Sequence, residues 1–297
     1  MMYHMRFLAL FMLILVAGIS GSDELALSTD DTIQGITARG FFDWQDGNLQ
    51  LRLVSPVDFD RGTPAAQVYS AQQRAEDLFP RFLFESLLSI QVNSRYTVGE
   101  LLRENPILAD SVVNLSQTAH RGLPQPAANL KSITINYTVP IFPELAALFV
   151  THRIPFYMPS VLEWVPTREF TGLVIYAAAP LPLHGTNRSV LLEPALLPEI
   201  FDTEMRPVLE QDMLDPEYAV RWGVVAYTET PDEESWQDRI GNDPLRIMAR
   251  GIFGVDPTDI VIGVDDANRL LALPANQKLL REGRILVILA SGQATAD

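Results

Sequence analysis

Phe170-Thr171-Gly172-Leu173-Val174-Ile175-Tyr176-Ala177 runs through a Pro/Gly-rich loop into Leu191-Leu192-Glu193-Pro194-Ala195-Leu196-Leu197-Pro198-Glu199-Ile200-Phe201-Asp202. Segments rich in Val, Ile and aromatic residues and bounded by Gly and Pro read as strands, and two of them joined by a turn-rich connection are expected to pair as neighbours. The chain divides at this point. The residues before Phe170 read as a separate helix-containing module, and those after Asp202 supply strands and a helix to the same sheet.

Downstream, 206–209, 222–228 and 258–263 read as further strands, 231–237 as a short polar helix, and 244–254 as one long alternating strand. Asp265 or Asp266 is placed to cap a helix over 267–273, with another turn or two at 277–282. Arg284-Ile285-Leu286-Val287-Ile288-Leu289 has no polar alternation after its first residue, as a strand buried on both faces requires. The chain therefore closes on a βαβ-like unit whose last strand sits centrally.

Upstream, Phe41-Phe42-Asp43-Trp44 and Leu49-Gln50-Leu51-Arg52-Leu53 flank Asp46-Gly47, a strong hairpin signal. Thr63-Pro64 opens a long helix toward Ile90, with Thr63 as cap, Pro64 at the first helical position and Pro80 as an expected kink. Thr97 and Glu100 are spaced as a capping box, with 105–115 continuing that helix or starting another. Ile133, Ile135, Tyr137 and Val139 alternate with polar residues, which makes 132–139 a strand with one buried face. The fold class is α+β, in two domains that each pack a mixed or antiparallel sheet with helices. The expected boundaries are 23–153 and 170–297. Between them, 154–169 holds Pro155, Pro159 and Pro166 with Phe156, Tyr157 and Trp164, and reads as a semi-rigid linker whose aromatics pack down. The sharper reading makes Phe156, Tyr157 and Trp164 an exposed contact for a partner.

The N-terminus carries Arg6, an apolar run over 7–17 and a small-residue exit, the pattern of a secretory signal peptide over 1–22 cleaved near Ser20 or Ser22. The chain has no cysteine, which removes disulfides, thiolate metal sites and a lipid-bearing cysteine. An exported product is then periplasmic, soluble and not lipidated. Among 297 residues 47% are hydrophobic and 20% charged, an ordinary globular balance. A net charge of −15 argues against nucleic acid and against anionic membrane surfaces as partners.

Catalytic signatures are missing from the sequence. His4, His120, His152 and His184 have no histidine or cysteine at ligand spacing, and neither a nucleophile elbow, a phosphate-binding loop nor a dinucleotide fingerprint occurs. The acidic pairs Asp256/Asp259, Asp265/Asp266 and Glu233/Glu234 sit where helices or turns begin, so they read as caps rather than a cation loop. The most unusual loop is Pro180-Leu181-Pro182-Leu183-His184-Gly185, where Pro182 and His184 follow a buried strand at a position that favours ligand contacts. No catalytic residue, cofactor or metal ligand is assigned.

These stretches, with Pro194 to Asp202, Asn242-Asp243-Pro244-Leu245-Arg246-Ile247 and Thr258-Asp259-Ile260-Val261-Ile262, resemble a group of exported spirochaete proteins. That group is distantly similar to LPP20-type envelope lipoproteins and to FlgT-like periplasmic flagellar accessory proteins. The chain departs from the lipoproteins in lacking the acylated cysteine, and from the flagellar type in having Ala177-Ala178-Ala179-Pro180 and a longer loop after the Gly-Leu-Val-Ile strand. The resemblance implies a non-enzymatic periplasmic role near the envelope or flagellum. The expected function is a structural or assembly protein that binds other periplasmic or envelope proteins, without stable membrane insertion once the signal is cleaved. The alternative is a small-ligand-binding protein with its site between the domains, near the linker and the His184 loop. An enzyme would require a carboxylate or serine converging on His152 or His184.

Overall fold

The computed structural model describes residues 31–59 and 62–291; the expected leader over 1–22 lies outside them. In the first unit, β1 (Asp31–Ile33), β2 (Ile36–Asp43) and β3 (Asn48–Pro56) form an antiparallel meander. The hairpin is closed by Gly47 at φ +67° and by Asp43, whose Oδ1 accepts the Gln45 and Asp46 N–H groups at 3.1 Å. Helix α1 (Pro64–Leu88) begins at the cap Thr63 and buries Ala71, Ala75, Phe79, Phe82, Leu83 and Leu87. It runs on through Pro80, which lies on the exposed face where a missing N–H leaves a carbonyl open to water. Helix α2 (Val98–Glu104) starts with the complete Thr97/Glu100 capping box, and α3 (Ala109–Asn114) comes after a short 3₁₀ turn. The short strands β4 (His120–Arg121) and β5 (Gln125–Pro126) both pair with β6 (Ser132–Pro140), which lies antiparallel to β3. Alternation is reproduced residue by residue: Leu49, Leu51 and Leu53 face the same core as Ile133, Ile135, Tyr137 and Val139. Phe79 of α1 stacks on Tyr137 at 4.0 Å. Helix α4 (Glu144–Leu148) ends the unit.

The second unit contains two four-stranded sheets and a separate two-stranded hairpin, not one sheet. In chain order it comprises β7 (Leu173–Ala177), the hairpin β8 (Leu181–Pro182) and β9 (Ser189–Val190), β10 (Ile200–Asp202), β11 (Pro207–Leu209), α5 (Pro216–Trp222) and β12 (Ala226–Thr228). Next come α6 (Gln237–Ile240), β13 (Leu245–Met248), β14 (Gly251–Phe253), β15 (Asp259–Ile262), α7 (Val264–Leu271), α8 (Pro274–Arg281) and β16 (Ile285–Leu289). One sheet is wholly parallel, in the order β12-β16-β7-β13. The other is mixed, in the order β11-β10-β15-β14.

Several expectations change accordingly. The two opening stretches do not pair: β7 lies between β16 and β13, and only Ile200–Asp202 of the second stretch is a strand, in the mixed sheet. The reason lies in the prolines. Pro194 and Pro198 have no N–H to give a ladder, and between them Leu196 and Leu197 donate to Gln91 O (3.0 Å) and Val92 O (2.7 Å) of the first unit. The supposed long strand over 244–254 is two strands in different sheets, with Ala249 bonded to Tyr176 O and Arg250 to Val261 O at the crossover. Residues 216–222 are helical, so the strand read over 222–228 shortens to Ala226–Thr228 after Gly223. Asp265 and Asp266 lie in the first turn of α7 and leave the cap to Gly263, so they act on the helix dipole. The terminal strand–helix–strand run is present, with β16 fully buried and central, and it connects the two sheets because β15 belongs to the mixed one.

One large apolar core runs through both units, and a second, smaller one of Val174, Ala226, Ile240, Leu286 and Ile288 lies within the second unit. The loop after α1 enters the second unit, where Asp256 N–H donates to Ser94 O at 3.1 Å. Gly254, at φ +118°, allows this approach, since a Cβ there would lie 2.1 Å from Ser94 Cβ. Likewise Phe142 packs onto Gly223 (φ +73°), where a Cβ would fall 2.0 Å from the ring.

Candidate functional site

Residues 150–172 contain neither helix nor strand, yet the segment is fixed at both ends. At its start, His152 Nε2 meets Leu214 O at 2.7 Å, Phe156 N–H donates to Asp212 O at 2.7 Å, and Met158 is buried. At its end, Thr167 donates to Arg269 O at 3.0 Å, Arg168 pairs with Asp243, and the buried Asn276 bonds Arg168 O (2.9 Å) and Phe170 N–H (3.0 Å). Arg168 and Arg269 both lie over the Phe170 ring, at 4.8 and 5.5 Å. Between these anchors Ile154, Phe156, Tyr157, Leu162 and Trp164 are 62–97% exposed. The expectation that the aromatics pack down is thus corrected. In an extended chain adjacent side chains point to opposite sides, so burying Met158 turns Tyr157 outward, and the prolines keep the strap out of any ladder.

The other sequence-derived candidates sit elsewhere. Pro182 lies in β8 and is exposed. His184 is exposed as well; its N–H donates to Ile252 O at 2.8 Å and its ring meets Phe253 edge-on at 5.9 Å. Phe253 in turn meets Phe201 at 5.4 Å. The strap thus rests on 212–214 and 269–276, whereas the His184 loop rests on β14, and the two do not form one site. Among the described residues, no group of three or more His, Cys, Asp or Glu is placed to hold a metal ion, and no helix is long and apolar enough to cross a membrane.

Three features were not read from the sequence. The first is a cleft of about 300 Å³ between the units, at the carboxyl ends of the parallel neighbours β12 and β16, where open parallel sheets place ligands. Its floor is Phe42, Tyr227, Thr228 and Leu289; its walls are Phe41, Asp43, Trp44 and Gln45 from the first unit and Glu229 and Thr230 from the second. Trp44 meets Phe42 at 4.4 Å and Tyr227 at 5.6 Å, with the ring planes 65° and 76° apart. Tyr227 is held from behind, since its hydroxyl both donates to Ala195 O and accepts Ala195 N–H at 3.1 Å.

The second is a carboxylate group where the loop after α1 enters the second unit. Asp259 is fully buried and accepts the Glu199 N–H at 3.1 Å. Burial, and then the Asp259 charge, push Glu199 up to about 7, against the opposing pull of Arg95 at 3.7 Å. Burial raises Asp259 too, against hydrogen bonding from Ser94. The third is Arg239, buried at the junction of α5, α6 and β16. Its guanidinium donates to Gly283 O (2.8 Å), Trp222 O (2.7 Å) and Gly223 O (3.1 Å), and burial lowers its pKa to about 9. Arg221 and Arg284 join it around the Trp222 ring. Phe42 and Trp44 had a signal in the sequence as aromatics of a hairpin strand, and Asp259 as one of the acidic pairs read as caps; their partners Tyr227 and Glu199 are too distant in the chain to be read.

Two family models match the chain, one in each unit. Residues 35–148 match the model of the Treponema pallidum Tp0624 N-terminal domain, and residues 172–291 match that of the Treponema pallidum Tp0624 second domain. No curated protein matches the chain. The two matches follow one another in the order N-terminal domain, then second domain, and together indicate a Treponema-type protein family with two domains.

Proposed function

We propose that this protein is a non-enzymatic structural or assembly factor of the periplasm that docks envelope or periplasmic flagellar proteins through the strap. One observation carries the reading: five large apolar side chains, two of them Tyr157 and Trp164, stand out on a segment whose two ends are fixed. Aromatic side chains concentrate binding energy at protein interfaces, and a strap already held in place loses little further freedom on binding. The leader-like N-terminus supports the compartment, and the resemblance read from the sequence, to exported spirochaete proteins themselves distantly similar to LPP20-type and FlgT-like proteins, supports the class of partner.

The test places a photo-crosslinking amino acid at Leu162 in the organism that makes the protein. The expected result is an adduct with an envelope or flagellar component that disappears in the variant Tyr157→Ser/Trp164→Ser, from a chain whose N-terminus begins after the leader. Recovery of free monomer alone would overturn the docking function, and an intact leader on cytoplasmic protein would overturn the compartment. A second reading, binding of a small ligand between the domains, is favoured by the cleft lined by Trp44 and Tyr227.

A further inference from the structure

In the cleft between the units the ring of Trp44, in the wall, stands at a steep angle to two rings of the floor. Trp44 makes a corner with Phe42 on one side and Tyr227 on the other, which forms a partial box rather than the flat platform that stacks a sugar or a base. Phe41 borders the cleft from the other face of β2, and Asp43 and Glu229 bring two carboxylates to the lining. Lys, Arg and His are all missing from the lining.

We infer that this cleft binds a small organic ammonium cation. The inference rests on the second functional reading, that the interdomain cleft takes a small ligand, and names its chemical class. Aromatic faces carry negative charge density that attracts a weakly hydrated cation, and most strongly where several rings surround it. The two carboxylates favour the same sign of charge and repel anions, and the −15 net charge of the chain draws cations toward the surface. A bare metal ion is a poorer fit, because hard cations need a cage of six or more oxygens and Asp43 already commits Oδ1 to the Gln45 and Asp46 N–H groups. At about 300 Å³ the space lies at the small end of ligand sites.

Tryptophan fluorescence and thermal unfolding of the whole chain test the assignment. The probes are choline, tetramethylammonium and 3,3-dimethylbutan-1-ol, the uncharged isostere of choline, each against sodium chloride at matched ionic strength. Choline and tetramethylammonium are expected to change the fluorescence saturably and raise the unfolding temperature, while the alcohol and the salt do neither. The signal belongs to Trp44, one of four tryptophans, and is expected to vanish in Trp44→Phe. Glu229→Gln is exposed and leaves the hairpin intact; it is expected to weaken choline binding by about tenfold, as is Asp43→Asn. Trp164→Ser on the strap leaves binding unchanged. Equal binding of the alcohol, or full affinity in Glu229→Gln, overturns the cation assignment and leaves a cleft for neutral ligands. Binding of none of the probes overturns the cation assignment alone; the small-ligand reading falls only if a thermal-shift screen of chemically diverse small molecules also finds no stabilisation that Trp44→Phe abolishes.

Discussion

Arg239 shows how much one side chain can hold when its partners are carbonyls. Its planar fork joins the end of α5, through Trp222 O and Gly223 O, to the turn before β16, through Gly283 O. Because these acceptors are buried with it, removing the guanidinium leaves them without donors, at the cost of several unmade hydrogen bonds. Arg239→Met is expected to destabilise the protein by about 3 kcal/mol in urea unfolding. Arg239→Lys should regain only part of that, since a single ammonium cannot span three carbonyls held by a fork; full recovery would count against the account. In the sequence this residue lies just past the stretch 231–237 read as a short polar helix, with nothing to mark it as buried. Its acceptors lie 16, 17 and 44 residues away.

Among the elements, the loop after α1 is tied into the second unit through its backbone. Its Gln91 and Val92 carbonyls take N–H groups from Leu196 and Leu197, and the Ser94 carbonyl takes one from Asp256. Glu199 and Asp259 close the same junction, and the upward shift of Glu199 to about 7 gives it a pH dependence with a definite sign. A carboxyl group whose folded pKa exceeds its unfolded value binds extra protons in the native state, so its contribution falls as pH rises between those two values. Glu199→Gln cannot lose a proton there. Relative to wild type, it is expected to gain stability from about pH 4.5 to about pH 7 and to level off above that. Unfolding temperatures measured across that range decide it: a difference that does not vary with pH would sink the idea. Glu100, Glu233 and Asp243, all lowered by hydrogen-bonded partners, work in the opposite direction in both proteins and cancel in the comparison.

For the molecule as a whole, the decisive fact is that both units contribute to one buried core. Unfolding of either unit would uncover apolar surface on the other, along Phe142, Trp44 and Tyr227. The chain is therefore expected to unfold in one transition, with tryptophan fluorescence and far-ultraviolet circular dichroism coincident; two resolved transitions would show the units to be independent. Gly223→Ala tests the joint itself. Its φ of +73° disfavours any Cβ, and the new methyl would collide with the Phe142 ring, so a loss of at least about 2 kcal/mol is expected.

Local elements are legible in the residues themselves. Alternation at Leu49, Leu51 and Leu53, the Asp46-Gly47 turn, the Thr97/Glu100 box and the apolar run Ile285 to Leu289 all depend on residues within a few positions of one another. Which strands meet is settled only in three dimensions. A short apolar run such as Leu173 to Ala177 shows that it will be buried but not beside what, since any partner of similar length satisfies the same hydrogen bonds. That is why β7 pairs with β13 and β16 rather than with the next stretch along the chain. The cleft arises in the same way, from contacts such as that of Gln45 with Thr228, 183 residues apart, and no local pattern encodes a meeting at that separation. Exposure of the strap is likewise a tertiary outcome: the same aromatics suit a packed linker or a docking surface until the rest of the chain either covers them or leaves them open.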